Sequence, residues 1–189
     1  MQSFEDLWAD DELRKTLKGN KIAVMPTDTI YGVVGRAENR ETVEKIYALK
    51  KRVPDKPFII LISNINDIEK FSIELSYDLR KVLASYWPSP ISIIIDCPSG
   101  DFEYLHRGTN SLAFRMPKEE SLLLLLSETG PLVAPSANTE GMPPAEDINQ
   151  AKEYFKDGVD YYMDRGKIIG KASKLIKLHK DGSITILRA

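Results

Sequence analysis

Short apolar segments alternate along this chain with longer amphipathic ones, and this alternation limits the fold more than any other feature. Ser3 can cap a first helix that places Leu13 and Leu17 on one face. Ser76 can cap another helix, which carries apolar residues at the i, i+3, i+4 and i+7 positions: Leu79, Val82, Leu83 and Tyr86. Comparable patterns predict helices at residues 39–49, 119–128 and 148–156, and strands at residues 22–25, 58–62, 91–95, 111–116 and 132–134.

The C-terminal part of the chain has the pattern of a β-hairpin. Residues 174–178 and 183–187 flank Lys180-Asp181-Gly182, which is typical of a turn. Apolar strands that interleave with helices indicate an α/β fold with helices on both faces of the sheet. We therefore expect a single domain over residues 1–189, built on a mixed twisted sheet with flanking helices and closed by this hairpin.

Composition argues against several classes of protein. The net charge of −2 and the pI of about 5.8 argue against a protein that coats nucleic acid, although a local basic groove stays possible. Cys97 is the one cysteine and the chain has two histidines, so neither an intramolecular disulfide nor a Cys/His metal site is expected. The N-terminal residues lack an apolar signal core, and no apolar run approaches ~18 residues. We expect a cytoplasmic protein without a membrane span.

Two segments early in the chain concentrate polar and charged groups. Residues 26–32, Pro-Thr-Asp-Thr-Ile-Tyr-Gly, place two hydroxyls, a carboxylate and a phenol where a predicted strand ends. Residues 50–57, Lys-Lys-Arg-Val-Pro-Asp-Lys-Pro, place four cations around two prolines, which disfavour helix and stiffen a loop. Together they suit a small anionic ligand such as a nucleotide. Each also has a plainer interpretation, a capped turn for the first and a solvated helix end for the second.

Arg115 is the most informative single residue, because it lies within the apolar strand predicted at 111–116. A guanidinium there costs free energy unless it is paired. Its partner is either an internal carboxylate or the carboxylate or phosphate of a ligand, and the sequence leaves both open. Ser136-Ala137-Asn138 follows another predicted strand and is either a helix cap or a nucleotide contact.

Other potential site residues carry weaker signals. Gly32 and Gly35 fit glycines where a strand passes into a loop, and His106 and His179 are expected to face solvent. The sequence contains no G-x-x-x-x-G-K-[ST] phosphate loop, no H-E-x-x-H and no G-x-S-x-G.

Four segments share an order and spacing that can be compared with known families. They are Pro-Thr-Asp-Thr-Ile-Tyr-Gly at 26–32, Lys50-x-Arg52 with Lys56-Pro57, Leu-Ala-Phe-Arg-Met-Pro at 112–117, and Ala-Pro-Ser-Ala-Asn at 134–138 with Gly141 and Pro143. In this combination the chain resembles the YrdC-like threonylcarbamoyl-AMP synthase family from about residue 10 to its C-terminus.

The resemblance implies a fold and an activity. The fold is a twisted open α/β sheet with a large concave basic cavity. The activity is that of a nucleotidyltransferase, which converts L-threonine, bicarbonate or CO2, and ATP with its bound Mg²⁺ into threonylcarbamoyl-AMP and pyrophosphate. The product serves threonylcarbamoyladenosine formation next to the tRNA anticodon, a step carried out by a separate transferase complex. Binding of tRNA by the synthase itself is expected to be weak.

The resemblance also implies roles for individual residues. Lys50 and Arg52 form the Lys-x-Arg element to which a catalytic role is assigned. The implied ATP-binding residues are Arg52, Lys56, Ser111, Ser136, Asn138 and Arg188. The implied threonine-binding residues are Thr29, Arg115, Ala134 and Ser173, with Arg115 gripping the substrate carboxylate. No residue is assigned to a metal ion.

Three segments depart from the family pattern. Lys174 stands where threonine is usual, the Leu-Arg pair at 187–188 is not followed by Pro-Gly, and residues 87–90 are Trp-Pro-Ser-Pro instead of Trp-Pro-Gly-Pro. We expect no second domain of the kind that longer relatives carry. Two alternatives stay open: a non-catalytic module of the same fold that binds double-stranded RNA, tRNA or a nucleotide, and a paralogue that has lost the synthase activity.

Overall fold

A computed structural model describes residues 8–52, 56–179 and 182–189. Within these residues the strands are β1 (Ala23–Pro26), β2 (Tyr31–Arg36), β3 (Ile59–Leu61), β4 (Ile91–Asp96), β5 (Ser111–Arg115), β6 (Leu132–Val133), β7 (Tyr161–Tyr162), β8 (Lys174–Leu178) and β9 (Ile184–Arg188). The α-helices are α1 (Asp11–Lys18), α2 (Arg40–Lys50), α3 (Tyr77–Tyr86), α4 (Glu103–His106), α5 (Glu120–Thr129) and α6 (Ile148–Phe155). Short 3-10 segments occupy Ile65–Phe71, Gly100–Phe102 and Lys156–Gly158.

The described strands form one mixed sheet in the order β7-β1-β2-β6-β3-β5-β4-β8-β9. The pairs β7–β1, β3–β5 and β4–β8 are parallel, and the other neighbours are antiparallel. The predicted mixed α/β sheet and the closing hairpin of β8 and β9 are therefore confirmed. Lys180 and Asp181 of the predicted turn lie outside the described residues, as do residues 53–55 of the cationic loop.

Helix starts follow the capping residues that the sequence offers. The side chains of Asn39 and Ser76 accept hydrogen bonds from backbone N–H groups in the first turns of α2 and α3, as predicted. Helix α1 carries the predicted Leu13 and Leu17 on its buried face, and Asp10 caps it by accepting from the N–H of Leu13. Ser3 lies outside the described residues.

Two apolar clusters cover the two faces of the sheet. The first packs α2, α3 and α6 against strand residues such as Val24, Ile60 and Phe114. The second packs α1 and α5 against alternate residues of the same strands, such as Met25 and Leu61. Side chains of a strand alternate between faces, so each short strand can supply both clusters. This burial on both faces explains the continuous apolar runs of β1 and β3.

Two expectations about individual residues are wrong. Gly32 and Gly35 lie inside β2 and not where a strand passes into a loop, and residues 27–30 form the turn of a β1–β2 hairpin at the predicted end of β1. Gly35 is needed because a Cβ there would lie 2.4 Å from Cγ2 of Thr42 on α2. His106 is 3% exposed, and its two ring nitrogens are bonded to the Ser99 carbonyl and to the N–H of Gly108.

Candidate active site

A cavity of about 400 Å³ opens on the sheet face that carries the second apolar cluster. Ser111, Ala113 and Arg115 line it from β5, because alternate residues of a strand share one face. Strands β3, β4 and β8 add apolar residues to its floor: Ile59, Ile94 and Leu175. Four cations lie on its walls: Arg52, Lys56, Arg115 and Arg188. The cavity therefore combines an apolar floor with several groups that bind anions.

The β1–β2 turn forms one wall of this cavity. The backbone N–H and the hydroxyl of Thr27 both donate to the carbonyl of Ile30, at 3.0 and 2.8 Å. The Thr27 hydroxyl also lies 3.1 Å from that of Thr29, which lines the cavity. Both interpretations of this segment therefore hold, since it is a side-chain-capped turn and it contributes a hydroxyl to the cavity.

Arg115 is buried beside a carboxylate of this turn. Its Nη2 donates to Oδ1 of Asp28 at 2.8 Å and lies 3.5 Å from the hydroxyl of Thr29. The side chains of Arg115 and Asp28 are each 3% exposed. The Nε of Arg115 and Oδ2 of Asp28 are buried without a hydrogen-bond partner among the described residues. Arg115 therefore has the internal carboxylate partner that the sequence allowed, and it also lines the cavity.

A β-bulge decides which face Arg188 occupies. Ile176 pairs with Ile186 and the preceding Leu175 pairs with Arg188, so Leu187 is an extra residue in β9. Without this bulge Leu187 would stand opposite Leu175 on the cavity face, and Arg188 would point to the other side. The bulge thus directs the guanidinium into the cavity.

Ser173 and Arg188 are linked at the same wall. Nε of Arg188 donates to the Ser173 carbonyl at 2.9 Å, and the buried Ser173 hydroxyl lies 2.8 Å from that of Ser92. Partial desolvation is the main cause that lowers the pKa of Arg188, and repulsion from Arg115 adds to it. An anion bound between these two guanidinium groups would relieve that repulsion.

Three further predicted residues line the cavity: Ser111, Ala134 and Ser136. The Ser111 hydroxyl donates to that of Thr109 at 3.4 Å. Ser136 forms an isolated β-bridge with Gly32, and the N–H of Val33 donates to the Pro135 carbonyl at 2.9 Å. The backbone that carries Ser136 is therefore tied to β2.

Arg52 and Lys56 line the cavity from the cationic loop. The Arg52 guanidinium lies over the ring of Phe58, 5.4 Å from its centroid, and its Nε donates to the Lys56 carbonyl at 3.2 Å. Lys56 forms a 3.0 Å ion pair with Glu140, which is an exposed pair in water. This ion pair lowers the pKa of the Glu140 carboxyl. An anionic ligand can therefore reach both cations by displacing at most one weak surface contact.

Lys50 and Asn138 do not line the cavity, although the sequence assigns them to catalysis and to ATP. The Lys50 side chain is 1% exposed and bonds to the carbonyls of Ser136 and Asn138 and to Oδ1 of Asn138. Burial is the main cause that lowers the pKa of Lys50 to about 7; repulsion from Arg52 adds to it, and attraction to Glu140 opposes it. Both residues belong to the support of the cavity wall.

Sequence reasoning missed the part played by Asp28. The residue stands in the polar segment that the sequence singled out, but no role was given to it. Its partner is 87 residues away in the sequence. The sequence indicates that Arg115, a cation in an apolar strand, needs a carboxylate partner. It does not indicate which of the carboxylates in the chain is that partner.

No group of three or more His, Cys, Asp or Glu side chains among the described residues could hold a metal ion. No helix in the described part of the chain is long and apolar enough to cross a membrane.

Comparison with known proteins identifies the family. A family model for the Sua5, YciO and YrdC proteins, described as telomere recombination, matches residues 15–189. The chain belongs to this Sua5/YciO/YrdC family. The family and the fold predicted from the sequence are confirmed.

Named relatives agree with this assignment. The chain is 33% identical over 129 residues to a threonylcarbamoyl-AMP synthase of Bacillus subtilis. This alignment covers 67% of this chain and 37% of the relative. It is 29% identical over 146 residues to a threonylcarbamoyl-AMP synthase of Idiomarina loihiensis, covering 76% of this chain and 78% of the relative. These names bear out the prediction of an enzyme in the threonylcarbamoyl-AMP synthase class.

A solved structure provides the matching fold. The crystal structure of Pyrococcus abyssi Sua5 complexed with L-threonine superimposes with a TM-score of 0.81 at 27% identity, over 94% of this chain and 52% of that one. The chain thus spans about half the length of Pyrococcus abyssi Sua5 and less of the Bacillus subtilis relative.

Proposed function

We propose that this protein is an L-threonylcarbamoyladenylate synthase that uses L-threonine, bicarbonate or CO2, and ATP. The observation that carries the proposal is one cavity in which Arg115 and the hydroxyl of Thr29 lie together with three further cations, Arg52, Lys56 and Arg188. An amino acid carboxylate and a triphosphate both need such groups. The named synthases among the relatives, and the L-threonine in the Pyrococcus abyssi complex, support the same assignment.

The threonine end of the cavity is assigned to the wall formed by Arg115 and Thr29. The planar fork of Arg115 matches a carboxylate, and its buried Nε has no partner among the described residues. Asp28 holds the guanidinium in place without using all of its donors. Ala134 and Ser173 complete the surroundings of the substrate.

The ATP end is assigned to Arg52, Lys56 and Arg188, with Ser111 and Ser136 as neutral contacts. Mg²⁺ enters as part of the ATP complex. In such complexes Mg²⁺ keeps several waters and is bound by substrate phosphates with one or two carboxylates, so a cluster of three acidic side chains is not required.

The proposed reaction transfers an adenylyl group. The threonine amine adds to CO2 and loses a proton, which gives a carbamate. A carbamate oxygen then attacks the α-phosphorus of ATP, a new P–O bond forms, and the bond to the β-phosphate oxygen breaks as pyrophosphate leaves. A carbamate is a weak and short-lived nucleophile, so the chain contributes chiefly by positioning the reactants and neutralising charge. Arginine and lysine side chains suit that task.

We further propose that the adenylate serves tRNA modification. A separate transferase complex would move the threonylcarbamoyl group to the adenosine next to the anticodon. The labile mixed anhydride of the product is an activated acyl donor, which fits a second enzyme that consumes it directly. The net charge of −2 favours weak binding of tRNA by this chain itself.

The test is the substrate dependence of pyrophosphate release. We expect release from Mg-ATP to require both threonine and bicarbonate, and prompt mass spectrometry to detect threonylcarbamoyl-AMP. Equal release without threonine would identify a pyrophosphohydrolase and refute the proposal. Sub-micromolar tRNA binding without ATP turnover would instead support the RNA-binding alternative.

A further inference from the structure

The ammonium group of Lys50 lies in a closed set of oxygens. It donates to the carbonyls of Ser136 and Asn138 and, at 3.2 Å, to Oδ1 of Asn138. An ammonium has three N–H donors, so these three bonds use all of them. The side chain is 1% exposed and does not line the cavity. A phosphate could bind Lys50 only after these bonds break.

The amide of Asn138 is equally occupied. Its Oδ1 accepts from the Ser136 hydroxyl at 2.6 Å as well as from Lys50. Its Nδ2 donates to the carbonyls of Thr139 and Met142, at 3.1 and 2.7 Å. An amide offers two donor hydrogens and two acceptor lone pairs. All four are used, by Lys50, Ser136, Thr139 and Met142.

The turn after α2 explains why Lys50 and Arg52 behave differently. Lys51 ends α2 in the left-handed conformation, with φ 51° and ψ 33°. The helix therefore ends between two cations that are two residues apart. The Lys50 side chain binds the loop of residues 136–140, and the Arg52 side chain lines the cavity.

The loop is held from two sides. On one side the N–H of Ala137 donates to the Tyr31 carbonyl of β2 at 2.8 Å. On the other side Lys50 binds two loop carbonyls, and its own carbonyl accepts from the N–H of Glu140 at 2.8 Å. Ser136, whose carbonyl Lys50 binds, is the residue of this loop that lines the cavity.

We propose that Lys50 and Asn138 are positioning residues, which hold residues 136–140 so that Ser136 meets the nucleotide, while Arg52 alone of the Lys-x-Arg pair contacts the phosphates. The inference rests on the proposed function for the identity of the nucleotide. It assigns Lys50 and Asn138 an indirect role in place of the direct one that the sequence favours.

The experiment is a double-mutant cycle on ATP affinity, with Lys50→Met, Asn138→Ala and the double variant, and with Arg52→Ala for comparison. Calorimetry gives the Kd for Mg-ATP at several KCl concentrations, and melting curves show that each variant is folded. Displacing Ser136 removes its contact with a charged ligand, a loss that corresponds to roughly tenfold in affinity or more, so we expect each single variant to weaken ATP binding by about that factor. The double variant should bind Mg-ATP with the same Kd as the single variant that binds it less tightly, because both substitutions disrupt one network.

The dependence on salt separates the two cations. Arg52→Ala should flatten the dependence of Kd on KCl, because it removes a charge that faces the phosphates. Lys50→Met should keep the wild-type slope. A flattened slope in Lys50→Met, or additive losses in the double variant, would show direct phosphate contact and overturn the proposal. Wild-type ATP affinity in folded Lys50→Met would also overturn it, since the network would then be structural alone.

If Lys50→Met fails to fold, Asn138→Ala decides, because it removes the shared amide and leaves Lys50 in place; unchanged ATP affinity there refutes the positioning role. If the wild-type protein binds ATP but makes no threonylcarbamoyl-AMP, the proposed function fails and the affinity cycle still tests Lys50. A wild-type protein that does not bind ATP refutes both.

Discussion

The guanidinium of Arg115 is held by the carboxylate of Asp28 at 2.8 Å, across 87 residues of sequence and within a wall of the cavity. A buried ion pair of this kind gains little net stability when complete, but it is costly to break. Its geometry fixes one end of the guanidinium and leaves donors for a ligand. The pair therefore links the stability of the fold to the proposed threonine site.

Replacing Arg115 by lysine tests the fork itself. Lysine keeps the charge but presents a single point donor, and losing one hydrogen bond to a charged group costs about 1.5–3 kcal/mol. We expect a threonine KM raised by roughly tenfold or more, with a smaller effect on kcat, because the carboxylate is bound before and during the reaction. Steady-state kinetics at saturating ATP measure this. If Arg115→Lys melts like the wild type and has wild-type threonine kinetics, Arg115 does not bind the threonine carboxylate and forms a structural ion pair alone.

Replacing Asp28 by asparagine tests whether Arg115 depends on its carboxylate partner. The amide keeps the shape but leaves the buried guanidinium without its counter-charge, and breaking a buried pair costs about 3–5 kcal/mol. We expect a lower free energy of unfolding in urea and a raised threonine KM in the folded fraction.

Glu128→Gln is the matched control for Asp28→Asn. Glu128 forms ion pairs with Arg14 and Lys18 at 3.2 and 3.5 Å, but its side chain is 32% exposed. Such partly exposed pairs are worth at most about 1 kcal/mol. Equal losses in Asp28→Asn and Glu128→Gln would contradict a special role for the Asp28–Arg115 pair.

Gly170→Ala tests a close backbone contact behind the β1–β2 turn. A Cβ on Gly170 would lie 2.0 Å from the carbonyl oxygen of Thr29, so one of the two backbones must move. Such overpacking costs about 1–3 kcal/mol, and it should displace Thr29 and raise the threonine KM. Gly100→Ala, where a Cβ would meet nothing within 4 Å, should leave both stability and KM unchanged. A threonine KM that is the same in both variants would exclude this contact as a determinant of the threonine site.

The lowered pKa of Lys50 predicts a pH dependence of stability. Burial lowers the pKa to about 7 in the folded protein from 10.5 in an unperturbed lysine. Between these values the unfolded state binds more protons, so the lysine makes the free energy of unfolding rise as the pH rises from about 7 to about 10.5. Below pH 7 the lysine contributes its full desolvation cost.

Urea titrations at several pH values, with wild type and Lys50→Met side by side, measure this contribution. The difference between the two proteins isolates the contribution of Lys50, because every other titratable group is common to both. We expect the free energy of unfolding to rise more steeply with pH in the wild type than in Lys50→Met. Parallel curves would mean that the three oxygen acceptors keep the lysine pKa near its ordinary value.

The sequence predicted what depends on local pattern. Asn39 and Ser76 cap their helices because a polar side chain just before an apolar period has a strong local preference. Strand β2 was missed because Gly32 and Gly35 weaken a strand pattern, and the need for Gly35 comes from Thr42 on a helix that follows. Arg115 could be recognised as a cation in need of a partner, but Asp28 could not be selected from distant carboxylates. Likewise the sequence pairs Lys50 with Arg52, and the left-handed turn at Lys51 separates them.

The bulge in β9 connects the cavity to an edge of the sheet. Arg188 reaches the cavity from a strand that is paired on one side alone among the described strands, with β8. Edge strands open locally at a lower free energy than central ones, and each opening would withdraw this guanidinium. A bound nucleotide should therefore slow amide hydrogen exchange in β9 more than in β8. Exchange measured by mass spectrometry would make the last strand a reporter of cavity occupancy, and equal slowing in both strands would disprove this coupling.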